Sequence, residues 1–188
     1  LVAASDAFDH HITTGGGLKL YALPCESGKI YAEQVGAIGD GVADDAAEIA
    51  VLFTATSKPG FKDGSTYRMT TGVTKLANDI VVDFGAATFI NSGYAGYLFV
   101  FGATADTPTY SNLTVTGGYF EQSNPATTGN QNYIRIAGTS KFSITGFTMS
   151  NISNGGVYVE AGCEDGFIEG EIYGASGYST CRAIWING

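Results

Sequence analysis

Basic residues are scarce in this chain: nine lysines and arginines stand against eighteen aspartates and glutamates, a formal net charge of -9 at pH 7. Such a surface repels phosphodiesters and anionic headgroups, so neither nucleic acid nor membrane insertion is expected. Nor is there an apolar run of about 18 residues to cross a bilayer, or a basic region followed by an apolar one to direct secretion. The three cysteines, Cys25, Cys163 and Cys181, cannot all pair within one chain and show no C-x-x-C spacing, so buried free thiols are expected. Histidines number two, His10 and His11 in "DAFDHHI". Adjacent residues point in different directions, and no distant third ligand joins them with Asp6, so they are expected at a surface or interface and no metal or cofactor is expected. The chain also lacks an initiator methionine and stops within the strand-like "CRAIWING", as a piece of a longer polypeptide would.

What is present suits a folded β protein. Hydrophobic residues make up 44% of the 188 positions, enough for one domain with a sizeable core. Only 14% are charged, while glycine reaches 27, so polarity comes mainly from neutral side chains and turns.

The stretch "VGAIGDGVADDAAEI" concentrates glycine and aspartate ahead of an apolar run. A dinucleotide loop needs a third glycine where Asp44 stands, and Asp40, Asp44 and Asp45 would repel a pyrophosphate. A calcium loop fails because Val42 occupies a ligand position. A helix start fits. Gly39 and Gly41 permit a tight turn, Asp45 is placed to cap, and Glu48 is placed to complete a capping box. Ile49, Leu52 and Phe53 form the apolar stripe, and "SKPG" ends the helix.

Two series of short segments then recur every 20 to 35 residues or so, the spacing of a solenoid. One aligns on glycine: Val115-Thr116-Gly117, Ile144-Thr145-Gly146 and Ile168-Glu169-Gly170. The other alternates in pattern: Phe99-Val100-Phe101, Ile134-Arg135-Ile136, Val157-Tyr158-Val159 and Ile184-Trp185-Ile186. A β-sandwich also has short strands and frequent turns, but it does not explain the recurrence.

The stretch "VGAIGDGVADDAAEIA", followed by "GSTYRMT" and "IVVDFGAATFI", resembles the start of the pectate-lyase-like right-handed parallel β-helix proteins. Asp40, Gly41, Asp44, Asp45 and Ala47 fall on the pattern, while Ala46 stands where threonine is usual. The resemblance implies an all-β fold, a right-handed parallel β-helix (solenoid) with a short N-terminal capping α-helix. Within the superfamily the chain looks most like a bacteriophage tailspike. Residues 1–29, with "LKLYALP", would be the handover from a virion-binding region, and residues 30–188 the first coils of a β-helix that continues. That resemblance implies a homotrimer in the extracellular virion tail, joined to tail or adaptor proteins, that recognises and degrades a host surface polysaccharide. A secreted lyase, hydrolase or epimerase of the same superfamily, and a purely structural tail protein, are the competing expectations.

In a parallel β-helix equivalent residues stack at about 4.8 Å, and alternation sends every second side chain outward. With Phe99, Ile134, Val157 and Ile184 inward, Val100, Arg135, Tyr158 and Trp185 share an outward column, and Tyr133 is expected beside them. The next column holds Gly102, Ala137, Glu160 and Asn187. Tyr133, Arg135, Tyr158 and Trp185 are therefore the candidate sugar-binding residues, against the alternative of a face covered by a loop or subunit. Glycoside hydrolysis needs paired carboxyl groups. Glu160 is a candidate without a column partner, and catalytic residues are expected in other coils. Glu164, Asp165, Glu169 and Glu171 read as solvated charges, and Asp40, Asp44 and Asp45 as scaffold.

Overall fold

The computed structural model describes residues 2–3, 11–13, 15–25, 27–122, 132–152, 155–173 and 182–187. Near the N-terminus β1 (Val2–Ala3), β2 (Ile12–Thr13) and β3 (Lys19–Tyr21) form a small antiparallel sheet with β3 in the middle. Strand β4 (Ile30–Tyr31) begins the parallel pairing. Then come β5 (Asp40–Asp44), α1 (Ala46–Ala55), β6 (Pro59–Gly60), β7 (Thr66–Met69) and β8 (Val73–Lys75). The coils proper follow: β9 (Ile80–Asn91), β10 (Tyr97–Gly102), β11 (Tyr110–Gln122), β12 (Asn132–Ala137), β13 (Thr139–Ser150), β14 (Gly155–Val159), β15 (Glu164–Tyr173) and β16 (Arg182–Ile186). Among β8 to β16, even-numbered strands pair with even and odd with odd. One parallel sheet runs β8-β10-β12-β14-β16, and another runs β4-β6-β9-β11-β13-β15, with β7 joining β5 to β9. The result is a β-solenoid of about five turns in which 57% of residues are strand.

The recurring glycines explain how a long strand serves two faces. In β9 the buried positions run Ile80, Val82, Phe84 and then Ala87, Phe89, Asn91, so the alternation slips by one at Gly85. The same slip follows Leu113 and Val115 at Gly117, and Phe142 and Ile144 at Gly146. These glycines have φ of 54°, 74° and 69°, a left-handed conformation that costs glycine nothing and strains a residue with a Cβ. A Cβ on Gly117 would also collide with the Gly85 carbonyl one coil below. Each corner therefore depends on glycine for its conformation, and the Gly117 corner for close stacking as well.

Inside, aromatic rings stack from coil to coil. Phe84 lies 4.8 Å from Phe89, 4.7 Å from Phe99 and 5.4 Å from Phe120, centroid to centroid. Full burial of each such side chain contributes about 1.5–3 kcal/mol.

Helix α1 plugs one end of this interior. It buries Ile49, Leu52 and Phe53, and the Phe53 ring stacks on Phe99 at 5.8 Å and contacts Phe101 at 6.1 Å. Lys75 from β8 donates its ammonium to the carbonyls of Phe53 and Thr56, where the helix leaves acceptors unpaired and its dipole is negative. The helix start departs from the expected capping box. Asp45 is buried, but its carboxylate turns back to accept Ile38 N–H at 2.6 Å and, more weakly, Gly39 N–H. Its own N–H is already committed to the Arg68 carbonyl at 2.9 Å, so Glu48 has no donor to reach there. Asp44 serves the helix instead, accepting Ala46 N–H at 3.3 Å and the amide and hydroxyl of Thr70. Asp40 accepts Val42 and Ala43 N–H, both at 2.8 Å.

The cysteine expectation also needs correction. Cys25 is exposed and Cys163 half-buried, while Cys181 lies outside the described residues. Cys25 sits on a tight turn, with its carbonyl accepting Gly28 N–H at 2.8 Å, and that turn stands clear of the core. His11 is half-buried, its Nδ1 accepting Ala22 N–H at 3.0 Å, whereas His10 and Asp6 lie outside the described residues.

Candidate functional site

Strands β10, β12, β14 and β16 place Val100, Arg135, Tyr158 and Trp185 in one register column, as the alternation predicts. Phe99, Ile134 and Val157, their inward neighbours, are buried. Ile184 is 43% exposed, because no further strand pairs with β16 among the described residues.

Tyr133 is not on this face. It is 1% exposed and packs against the core ring of Phe120 at 5.8 Å. The reason is a break in alternation: Leu98 and Phe99 are buried consecutively in β10, and Tyr133 and Ile134 repeat this in β12. Burial, with a smaller push from the Glu121 charge, raises the Tyr133 phenol well above its ordinary pKa.

The same break sends Tyr97 outward, a residue the sequence reading missed. Its ring stacks on Tyr158 at 5.8 Å with only 18° between the planes, and Tyr158 meets Trp185 at 5.0 Å. Three aromatic side chains thus form a continuous outward platform along the solenoid axis. The missed signal was the doublet of apolar residues at one register, Leu98-Phe99 and Tyr133-Ile134, which cannot both obey strict alternation.

A polar cluster borders the platform. Arg135 Nη2 meets Glu160 Oε2 at 2.6 Å, and the guanidinium carbon lies 5.9 Å from the Tyr97 ring centre. Thr104, just beyond β10 and also unforeseen, joins both: Arg135 Nη2 donates to its Oγ1 at 2.6 Å, and that hydroxyl lies 2.9 Å from Glu160 Oε2. The cluster spans three coils, with Glu160 fixed through its N–H to the Ile136 carbonyl at 2.9 Å. Arg135 and Glu160 are about a quarter and a sixth exposed, so the pair is partly shielded from water. Burial raises the Tyr97 phenol above its usual value; Tyr158 adds to this and the Arg135 charge opposes it.

The Arg135 charge is consequently matched by a carboxylate. Stacking supplies no second carboxylate in the Glu160 column, whose neighbours are Ala137 and Asn187. Glu164, Asp165, Glu169 and Glu171 are exposed along β15, where Glu171 accepts the Tyr173 hydroxyl at 2.6 Å. Among the described residues no group of three or more His, Cys, Asp or Glu side chains is arranged to hold a metal ion. The arrangement can present flat apolar rings edged by hydrogen-bonding groups.

The class of the molecule is set by its fold, a parallel β-solenoid of about five turns carrying one helix. No protein family, curated protein or solved structure matches the chain.

Proposed function

We propose that this chain is part of a bacteriophage tailspike whose β-solenoid recognises a bacterial surface polysaccharide, with the antiparallel segment at residues 1–29 on the side of the virion. The observation that carries the reading is the outward platform of Tyr97, Tyr158 and Trp185 on a rigid parallel scaffold. Pyranose rings offer a face of C–H groups that packs on aromatic planes while the hydroxyls remain hydrated, and tyrosine and tryptophan suit such half-wet contacts. Coil stacking holds these rings in fixed relation, so little conformational entropy is lost on binding. The turn-and-helix sequence of residues 35–50 and its use as an end plug support the likeness to tailspikes and to other pectate-lyase-like β-helices.

In this reading the spike is a parallel homotrimer attached through tail or adaptor proteins, and the described coils bind the glycan that the assembled spike degrades. Glu160 has no second carboxylate beside it in its column, which favours binding over hydrolysis at this particular face. The test incubates the full-length protein with capsule and lipopolysaccharide preparations and follows both sedimentation with the glycan and release of reducing or unsaturated ends. Cosedimentation lost on replacing Trp185 supports the reading. Wild-type protein that neither binds nor cuts any preparation refutes it.

A further inference from the structure

The charge state of the platform narrows what it can hold, taking the glycan reading above as its premise. We infer that this face selects uncharged sugar residues and that Arg135 is a positioning residue rather than a clasp for an acidic sugar. A guanidinium that binds a carboxylate does so bidentately, with its N–H fork free to face the ligand. Here Nη2 is held by Glu160 Oε2 and by Thr104 Oγ1, both at 2.6 Å. Drawing it away would leave a partly buried carboxylate unpaired, at a cost that an incoming uronate would have to supply.

Glu160 meanwhile uses only one oxygen. Oε2 takes both bonds, and Oε1 has no partner among the described residues. An anionic acceptor beside an aromatic plane welcomes the hydroxyl of a neutral sugar and repels a carboxylate at the same distance. The overall charge of -9 acts in the same direction at longer range. Across the rest of the ladder, Tyr158 accepts from Asn187 Nδ2 at 3.4 Å, another neutral hydrogen-bonding group at the platform edge. The three-coil clamp of Thr104, Arg135 and Glu160 holds Arg135 against Tyr97, and so fixes the ring on which Tyr158 is stacked.

The test screens the full-length protein on a glycan array that includes neutral hexose oligosaccharides and uronate- or sialate-bearing ones, and then measures the binders at low and high salt. Wild-type protein is expected to bind neutral members only, with affinity changing less than about twofold between 0.05 and 0.5 M salt, as uncharged recognition requires. Glu160→Gln frees the guanidinium and is expected to add acidic members, improving their apparent affinity about tenfold or more, the gain of one charge-assisted pair. Acidic glycans bound by the wild-type protein would overturn the inference while leaving the glycan reading intact. Binding to no glycan at all would remove the reading and the inference together. Should Glu160→Gln fail to fold, the wild-type selectivity and its salt dependence still decide.

Discussion

Two acidic regions of this molecule look alike in one dimension and differ in three. At the plugged end, Asp40, Asp44 and Asp45 crowd into six residues, and each is occupied by backbone amides of its own neighbourhood or by Thr70. On the outward face, Glu160 is a lone carboxylate whose partners, Arg135 and Thr104, come from two other coils, and it borders half-buried aromatic rings. Density of charge along the chain here goes with folding chemistry, whereas the long-range pairing lies next to the platform for which recognition is proposed. The comparison also gives each region a distinct mode of failure when its carboxylate is removed.

The largest effect is expected at Asp45. Its removal leaves the Ile38 and Gly39 N–H groups without their carboxylate acceptor in a partly buried site, at about 3 kcal/mol if each charge-assisted bond contributes its usual share. Asp45→Ala should lower the denaturant midpoint accordingly while glycan binding per folded molecule stays constant. Lost binding with an unchanged midpoint would merge the two regions after all.

Trp185→Ala should do the converse. Removing a platform ring is expected to weaken glycan affinity about threefold to tenfold, the range for aromatic contacts. Chemical denaturation should shift by no more than about 1.5 kcal/mol, the range for an aromatic contact such as that with Tyr158. A large loss of stability would show that the ring is a packing element.

Acid should weaken the plugged end. For Asp44, burial raises the carboxyl, but the Thr70 hydroxyl and amide, the Ala46 amide and the Arg68 charge outweigh it and leave it below the usual range. Asp83 follows the same course: burial raises it, and Lys29, the Gly85 amide and the Thr116 hydroxyl bring it below. The Ala43 and Val42 amides lower Asp40. A carboxyl with a depressed folded-state pKa contributes stability above its unfolded value, near 4, and loses it as pH falls through the folded value. Thermal unfolding should therefore be flat from neutrality to about pH 5 and fall progressively below about 4. Asp44→Asn should flatten that fall, and an unaltered acid limb in the variant would assign the lability elsewhere.

The smallest effect is expected at Lys75. Lys75→Met keeps the apolar stem and removes the cation at the C-terminus of α1, for a loss of about 0.5–1 kcal/mol. Urea titration should register it without any change in binding.

Much of this architecture was legible from the residues. The stripe of Ile49, Leu52 and Phe53 located the helix, and the glycine-anchored repeats located the coil period, because periodicity leaves local marks. The register of Val100, Arg135, Tyr158 and Trp185 followed from alternation alone. Tyr133 and Tyr97 exchanged places because strict alternation was carried through the apolar doublets Leu98-Phe99 and Tyr133-Ile134, where it breaks. Glu48 failed as a capping partner because Arg68, twenty residues on, had already taken the donor. Charge pairing across coils, as in Arg135 with Glu160, depends on how loops seat and leaves no trace in local spacing.

The left-handed glycines at positions 85, 117 and 146 carry an evolutionary meaning. Each closes its coil at the same corner, so one circuit of the chain from corner to corner is a unit that can be duplicated or lost whole. In-frame gain of such a unit lengthens the molecule by one stacking increment and leaves the core of every other coil with its neighbours, because a solenoid repeat touches only the repeats beside it. The outward face then changes by one row at a time. Recombination at glycine codons would in this way build a new outward surface while the plug, with every aspartate in place, stays untouched.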